Sequence, residues 1–334
     1  MTNIDKFIRF NQLSMYYQPS NGLNLFSGDK SSIKAVDQVS LEIGRGEILG
    51  IIGESGSGKS TLGRMAAMLE KPTSGEIIMN GVSIENLNRK VKKRLRRSIQ
   101  IIFQNPFDTF NPRDTVEKIM IRPLQIHGIG VSDMERKKIF SRMLEAGGFS
   151  SPEVLMGKYP HELSGGELQR LSILRSLMTE PSLIIADEPV SMLDASIRAD
   201  IVNLLIRLSR DKGATVLFIS HDLTITGHIS DKIAVMYMGR IIEYGVRDEI
   251  IKHARHPYTN LLMAYSLSMI PKGKREIIKK TDRQTSSFDS DQFGYGCCFA
   301  QRCYKAVPEC YNKYPAVHDV GEGHLVACDR IHED

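Results

Sequence analysis

Short apolar runs, rich in β-branched residues, recur at Glu47 to Ile52, Ile99 to Phe103, Leu183 to Asp187 and Thr215 to Ile219. Each is nearly unbroken, and the stretches between them contain helical periodicity, the pattern of strands buried on both faces and connected by helices. This alternation predicts an α/β core built on a largely parallel sheet. Lys34 to Ile43 and Glu76 to Asn80 instead alternate apolar with polar residues. Strands with one wet face do this, so a small antiparallel sheet is expected at the edge of the core. From Asp114 to Met178 the pattern turns helical, broken at Gly128, Gly130 and Gly147-Gly148. A helical subdomain, at about 112–178, therefore interrupts the core. After about Met269 the composition shifts to Lys, Ser, Asp and Gln up to Gln292, as in a mobile linker, and a cysteine-bearing tail follows.

Composition narrows the class. With 334 residues, 41% hydrophobic and 25% charged, the chain suits one large globular domain plus an appendage, which sets aside disordered and fibrous proteins. The opening Met1-Thr2-Asn3-Ile4-Asp5 has no basic segment leading into an apolar run, and no later stretch nears the roughly 18 apolar residues of a spanning helix. Any membrane role is expected to run through partner subunits. A net charge of +5 suits a membrane-surface or nucleic-acid neighbour and establishes neither. All five cysteines follow position 296. The main body therefore has no disulfide framework, and the terminal cluster reads as a metal site, both in keeping with a reducing cytoplasm.

The sharpest chemical signal is Gly53-Glu54-Ser55-Gly56-Ser57-Gly58-Lys59-Ser60, which fits G-x-x-x-x-G-K-[ST] between a strand and a helix. Its glycines let backbone N–H groups converge on a β-phosphate at a helix N-terminus. Lys59 is placed to neutralise β/γ oxygens, the Ser60 hydroxyl to ligate Mg²⁺, and Thr61 to add a phosphate contact. A second element, Leu183-Ile184-Ile185-Ala186-Asp187-Glu188-Pro189, is an apolar strand ending in two carboxylates. Asp187 suits a Mg²⁺ ion held through water, and Glu188 suits polarisation of an attacking water. ATP and Mg²⁺ are the expected cofactors.

Leu163-Ser164-Gly165-Gly166-Glu167 then matches the signature motif of the ABC ATPases, and the chain resembles that family over roughly residues 8 to 265. The resemblance implies a P-loop NTPase core of RecA type in residues 1–255. It brings Gln104 as the Q-loop residue, Ser191-Met192-Leu193-Asp194 as the D-loop, and His221 as the switch histidine that reaches the γ-phosphate and positions water with Glu188. Gln104 is also the implied coupling residue and completes the Mg²⁺ shell. Tyr17 stands where the family stacks a ring on adenine, with Tyr16 as the neighbouring alternative. The family pairs two such domains around two ATPs, the phosphate loop of one facing the signature of the other. Ser164 with the N–H groups of Gly165 and Gly166 suits that role, an anion site with no phosphate-binding lysine of its own. Two positions depart from the family pattern: Glu167 where glutamine is usual, and Met192 where alanine is commoner. A glutamate accepts but does not donate hydrogen bonds, so it is expected to tolerate a ribose hydroxyl and to weaken the composite site modestly.

The end of the chain selects a branch. His256-Pro257-Tyr258-Thr259 with Leu261-Leu262 resembles the segment that oligopeptide, dipeptide and nickel importer ATPases carry after the core, here residues 256–292 with the linker. The long loop before Lys34 and the wording Asp187-Glu188-Pro189-Val190-Ser191 resemble the second of the two ATPases of such importers. In residues 293–334, Cys297, Cys303, Cys310 and Cys328 follow a C-x5-C-x6-C-x17-C spacing. Four thiolates suit an Fe–S cluster or Zn²⁺ equally. The resemblance implies a [4Fe–4S] cluster, for which a structural role is expected; Cys298 stands where the family more often has proline and is an alternative ligand to Cys297.

Together these imply an ATPase subunit at the cytoplasmic face of the membrane. Its partners would be a second ATPase subunit in a heterodimer, two permeases and, indirectly, an extracytoplasmic solute-binding protein. Peptides are the implied solute, with nickel or another small solute as the alternative. A nucleic-acid ATPase is the rival reading of the basic run Arg89 to Arg97. That run contains no aromatic residue for stacking on bases, and Gln104 to Leu163 is too short for the coiled coil of DNA-repair relatives, so it reads as a solvated helix.

Overall fold

A computed structural model describes residues 6–18, 32–266 and 296–331. The expected linker and the long loop before Lys34 lie largely outside these residues. Among the described residues, one sheet has the order β2-β1-β4-β5, from β1 (Lys6–Tyr17), β2 (Ile33–Gly44), β4 (Ser74–Met79) and β5 (Val82–Ser83), all paired antiparallel. The other contains β3 (Ile48–Ile52), β6 (Ile99–Ile102), β7 (Leu183–Asp187), β8 (Thr215–Ser220) and β9 (Lys232–Tyr237), paired parallel in the order β9-β3-β8-β7-β6. β10 (Arg240–Val246) then adds antiparallel to β9.

Alternation along the central strands divides two hydrophobic cores. In β7, Ile184 and Ala186 face one core while Leu183 and Ile185 face the other; in β8, Val216 and Phe218 separate from Leu217 and Ile219 in the same way. Both faces are covered, which is why these strands read as continuous apolar runs. One cover is helical: α3 (Val116–Ile126), α4 (Asp133–Ala146), α5 (Pro152–Met156) and α6 (Gly165–Leu177), with α7 (Ala195–Asp211). The other is the antiparallel sheet with α1 (Lys59–Ala66). The basic run forms α2 (Arg89–Ser98), which buries none of its residues.

The tail is built into the main sheet. Its hairpin, β11 (Val317–Asp319) and β12 (Leu325–Ala327), extends the sheet through β12 on β10, pairing Glu243 with Val326. Glu243 is a fully buried carboxylate. It accepts from the N–H of Arg255 (2.7 Å) and of His256 (3.1 Å) and lies 2.7 Å from Nε2 of His324 in the tail. Phe299, 1% exposed, inserts among Tyr237, Tyr258 and His256 with ring centroids 5.4 to 5.9 Å away. Tyr258 comes from the helix Pro257–Ser266. Burying a ring of this size contributes about 2–3 kcal/mol.

The described residues do not by themselves support the expected cysteine-rich metal site. Among the described residues no group of three or more His, Cys, Asp or Glu side chains is placed to hold a metal ion, and all five cysteines are free thiols. The aromatic insertion, the Glu243 contacts and a 2.7 Å hydrogen bond from Cys297 N–H to the Cys310 carbonyl organise the tail. Cys298 is buried with its Sγ 3.9 Å from the Tyr237 carbonyl. It packs into the core with Tyr237 and Phe299.

Candidate active site

The phosphate loop leaves β3 at Ile52 and enters α1 at Lys59. Gly58 caps the helix at φ 101°, a left-handed conformation that L side chains resist, and an added Cβ there would lie 2.0 Å from the Ala35 carbonyl oxygen. Lys59 is 4% exposed and its ammonium donates to the carbonyls of Gly53 and Glu54, each at 2.8 Å. Burial pushes its pKa down, opposed by the charges of Glu188, Asp187 and Glu54. The ammonium is therefore desolvated and aimed into the loop, where an arriving phosphate gains most from it.

Ser60 and Asp187 meet across this loop, the Ser60 hydroxyl donating to Asp187 Oδ1 at 2.8 Å. Burial raises the Asp187 carboxyl, and the Ser60 hydrogen bond works against that rise. Two hard oxygens so placed match the donor preference of Mg²⁺, which would be held by this pair and would offset charge on the phosphates.

Next along the chain, Glu188 occupies a left-handed conformation, φ 47°, and its N–H donates to the Ile219 carbonyl at 2.9 Å. That bond ties the end of β7 to β8. The Glu188 carboxylate lies 3.1 Å from His221 Nδ1 and 3.4 Å from Gln104 Nε2. His221 directly follows β8 and Gln104 follows β6, so three parallel strands deliver their C-terminal ends to one carboxylate, the end of an α/β sheet where ligands bind. The side chain of Glu188 is 18% exposed and that of His221 57%, which places a proton acceptor at an open mouth.

The signature residues form a separate group. Ser164 caps α6, and Glu167 returns its carboxylate to the Ser164 N–H (2.8 Å) and hydroxyl (2.7 Å), completing a capping box. These bonds hold the Glu167 carboxyl below its usual range. The unusual glutamate thus has a local role in this chain. Cβ atoms added at Gly165 and Gly166 would meet Leu193 and Ile197 at 3.7 and 3.1 Å, so the signature helix lies close against the D-loop and α7. Asp194 caps α7 without a side-chain capping bond and is exposed.

Tyr16 and Tyr17 separate by environment. The Tyr16 hydroxyl donates to the buried Asp37 at 2.7 Å, and Asp37 is also gripped by Arg240, so this ring is part of the scaffold. The Tyr17 hydroxyl instead donates to Glu70, which lies just beyond α1, and this ring stands apart from the Asp37 group.

Similarity to known proteins agrees with this geometry. The family model described as ABC transporter matches residues 36–191. The dipeptide transport ATP-binding protein DppF of Haemophilus influenzae is 39% identical over 319 residues, covering 96% of this chain and 95% of that protein. The chain belongs to the ABC transporter family. A second model, described as the C-terminal region of oligopeptide/dipeptide transporters, matches residues 242–310 of this ABC ATPase. The oligopeptide transport ATP-binding protein AppF of Bacillus subtilis is 39% identical and covers 98% of both chains. Among solved structures, the cassette superposes on cbiO1 of Clostridium perfringens, part of an ABC transporter complex, with a TM-score of 0.62 at 28% identity, over 78% of this chain and 94% of that one. A dimeric ATP-binding cassette bound to ADP and Pi gives a TM-score of 0.62 at 28% identity, over 72% of this chain and 98% of that one.

Three residues at the site escaped the sequence pattern. Glu54 fills a variable position of the loop motif, Tyr258 appeared only as part of a branch-specific segment, and Arg302 only as a neighbour of Cys303. The structure joins them: the Glu54 N–H donates to the Tyr258 hydroxyl at 2.9 Å, and Arg302 holds the Glu54 carboxylate.

Proposed function

We propose that this ABC ATPase powers a peptide importer, paired with a second, unlike ATPase subunit at the cytoplasmic face of the membrane. The observation that carries the reading is that similarity to peptide-transport ATP-binding proteins continues past the cassette through residues 242–310. No helix among the described residues is long and apolar enough to cross a membrane, so permease subunits would supply the pathway and an extracytoplasmic binding protein the solute.

In this reading ATP lies on the loop 53–60, with Lys59 on its β/γ oxygens, Ser60 and Asp187 at the metal position and Tyr17 against adenine. The signature of the partner, with its equivalents of Ser164 to Glu167, closes over the γ-phosphate. Asp194 and the rest of the D-loop face the partner. Closure moves the permeases through the surface around Gln104, where Phe107 is 53% exposed. Glu188 then accepts a proton from the attacking water as His221 holds that water and the γ-phosphate, and hydrolysis reopens the pair.

Peptide-stimulated ATP hydrolysis by the reconstituted complex of this chain with its partner ATPase, permeases and binding protein is the expected result. Stimulation by nickel and not by peptide would move the function to the metal-importing alternative.

The [4Fe–4S] reading rests on resemblance. What supports it is that Cys297, Cys303, Cys310 and Cys328 are free and near enough to act on one another's charge, while burial pushes the Cys303 and Cys328 thiols up and so works against their ionisation. The Cys297 thiol is held below its usual range by the Cys298 thiol and, more weakly, by His256, which favours the thiolate a cluster needs. Iron and acid-labile sulfide in anaerobically purified protein are the expected result, and their joint absence would remove the cluster from this protein.

A further inference from the structure

The phosphate loop is braced from a part of the chain that contains none of the cassette motifs. Arg302 lies in a 3-10 turn, Ala300–Arg302, of the cysteine-bearing tail. Its guanidinium reaches Glu54, 248 residues earlier, through two parallel bonds: Nη1 to Oε2 at 2.9 Å and Nη2 to Oε1 at 3.0 Å. This fork is the strongest geometry available to an arginine and a carboxylate. The Arg302 side chain is 6% exposed and that of Glu54 40%. Nη1 also donates to the Tyr237 hydroxyl at 3.3 Å, and the guanidinium lies 5.8 Å from the centroids of both Tyr237 and Phe299. Arg302 is thus fixed by the aromatic insertion that docks the tail, whereas Glu54 belongs to the loop. Tyr258, from the same aromatic group, takes the Glu54 N–H.

A carboxylate at this position works against the function of the loop. ATP brings a polyanion to backbone N–H groups one or two residues away, and an uncompensated Glu54 would repel it and compete for Lys59, on which its charge already acts. Arg302 cancels that charge and at the same time limits the positions the loop can take.

We propose that Arg302 is a positioning residue for ATP: by neutralising and fixing Glu54, the C-terminal tail sets the affinity of the phosphate loop for the polyphosphate chain. The inference rests on the reading of residues 53–60 as a nucleotide loop. It requires the tail to contribute to nucleotide affinity whether or not the cysteines hold a cluster.

The test is titration of the full chain with fluorescent ATP and ADP analogues, with a melting curve for each variant. Arg302→Ala should weaken ATP about tenfold and ADP by less, because the repulsion follows ligand charge. Arg302→Lys, which keeps the charge and loses the fork, should fall between, at about threefold. Combining Arg302→Ala with Glu54→Gln removes the stranded carboxylate and should restore ATP affinity to within about twofold of wild type. Wild-type ATP affinity in Arg302→Ala, or a double variant as weak as Arg302→Ala alone, overturns the inference. If Arg302→Ala melts below the assay temperature, Arg302→Lys carries the comparison, and wild-type ATP affinity there overturns it equally. A Lys59→Ala chain that still binds ATP as wild type would refute the nucleotide-loop reading itself, a separate failure.

Discussion

Replacement of Glu188 by glutamine is expected to lower ATP hydrolysis by the assembled transporter about 10²–10⁴-fold while leaving ATP binding in place. Glutamine has the shape of glutamate but does not accept the proton that water must give up as it attacks. The surroundings make the loss specific. Glu188 is held at φ 47° and tied to β8 through the Ile219 carbonyl, so the substitution keeps the backbone that aims the side chain. Lys59, Ser60 and Asp187, the residues proposed to receive the phosphates and the metal, are unchanged. The assay compares hydrolysis rate with nucleotide affinity in wild type and variant. Loss of both together would mean that Glu188 supports the loop, and a rate that survives would place turnover at the partner's site.

Gly58→Ala should produce the largest loss of nucleotide binding, about a hundredfold or more, together with a lower melting temperature. Two effects combine. The residue sits at φ 101°, and an alanine held there costs about 1–3 kcal/mol of backbone strain. Its Cβ would also fall 2.0 Å from the Ala35 carbonyl oxygen and 2.9 Å from Met236 Cε. The methionine end can swing aside, but the carbonyl belongs to β2, paired along its length with β1. The loop must therefore move, and its N–H groups lose their common focus. Gly56→Ala is the internal comparison: at φ 79° it carries the same kind of strain, but no atom lies within 4 Å of the added Cβ, so a smaller loss is expected. Equal affinities in wild type and Gly58→Ala, measured by titration with a fluorescent ATP analogue, would show that the loop tolerates a shift at its helix cap.

The site was unevenly legible. The phosphate loop, the strand ending in Asp187 and Glu188, and the signature cap are contiguous motifs, and the structure places each at a strand end or helix start as their patterns require. The central strands follow their apolar runs closely: Leu183–Asp187 has the bounds of its run, while Ile99–Ile102 stops one residue short because Phe103 turns outward at 37% exposure. The packing of the tail was not legible: the segment is organised by Phe299, by Glu243 with His324, and by β12 on β10. Glu167 was legible only as a departure from the family's glutamine; its capping bond to Ser164 was not.

The sequence by itself determined the α/β pattern and the nucleotide chemistry, because turns, caps and glycine conformations are set by residues within four positions of one another, and the resemblance of its motifs pointed to the family. Only the tertiary structure decided that His221 and Gln104 both reach Glu188, that Cys298 faces the core, and that Arg302 holds Glu54. Those contacts join residues 33, 84, 61 and 248 positions apart. They exist because parallel strands bring their ends together and an aromatic insertion docks the tail, and no local pattern of side chains encodes a distance between elements that packing alone brings together.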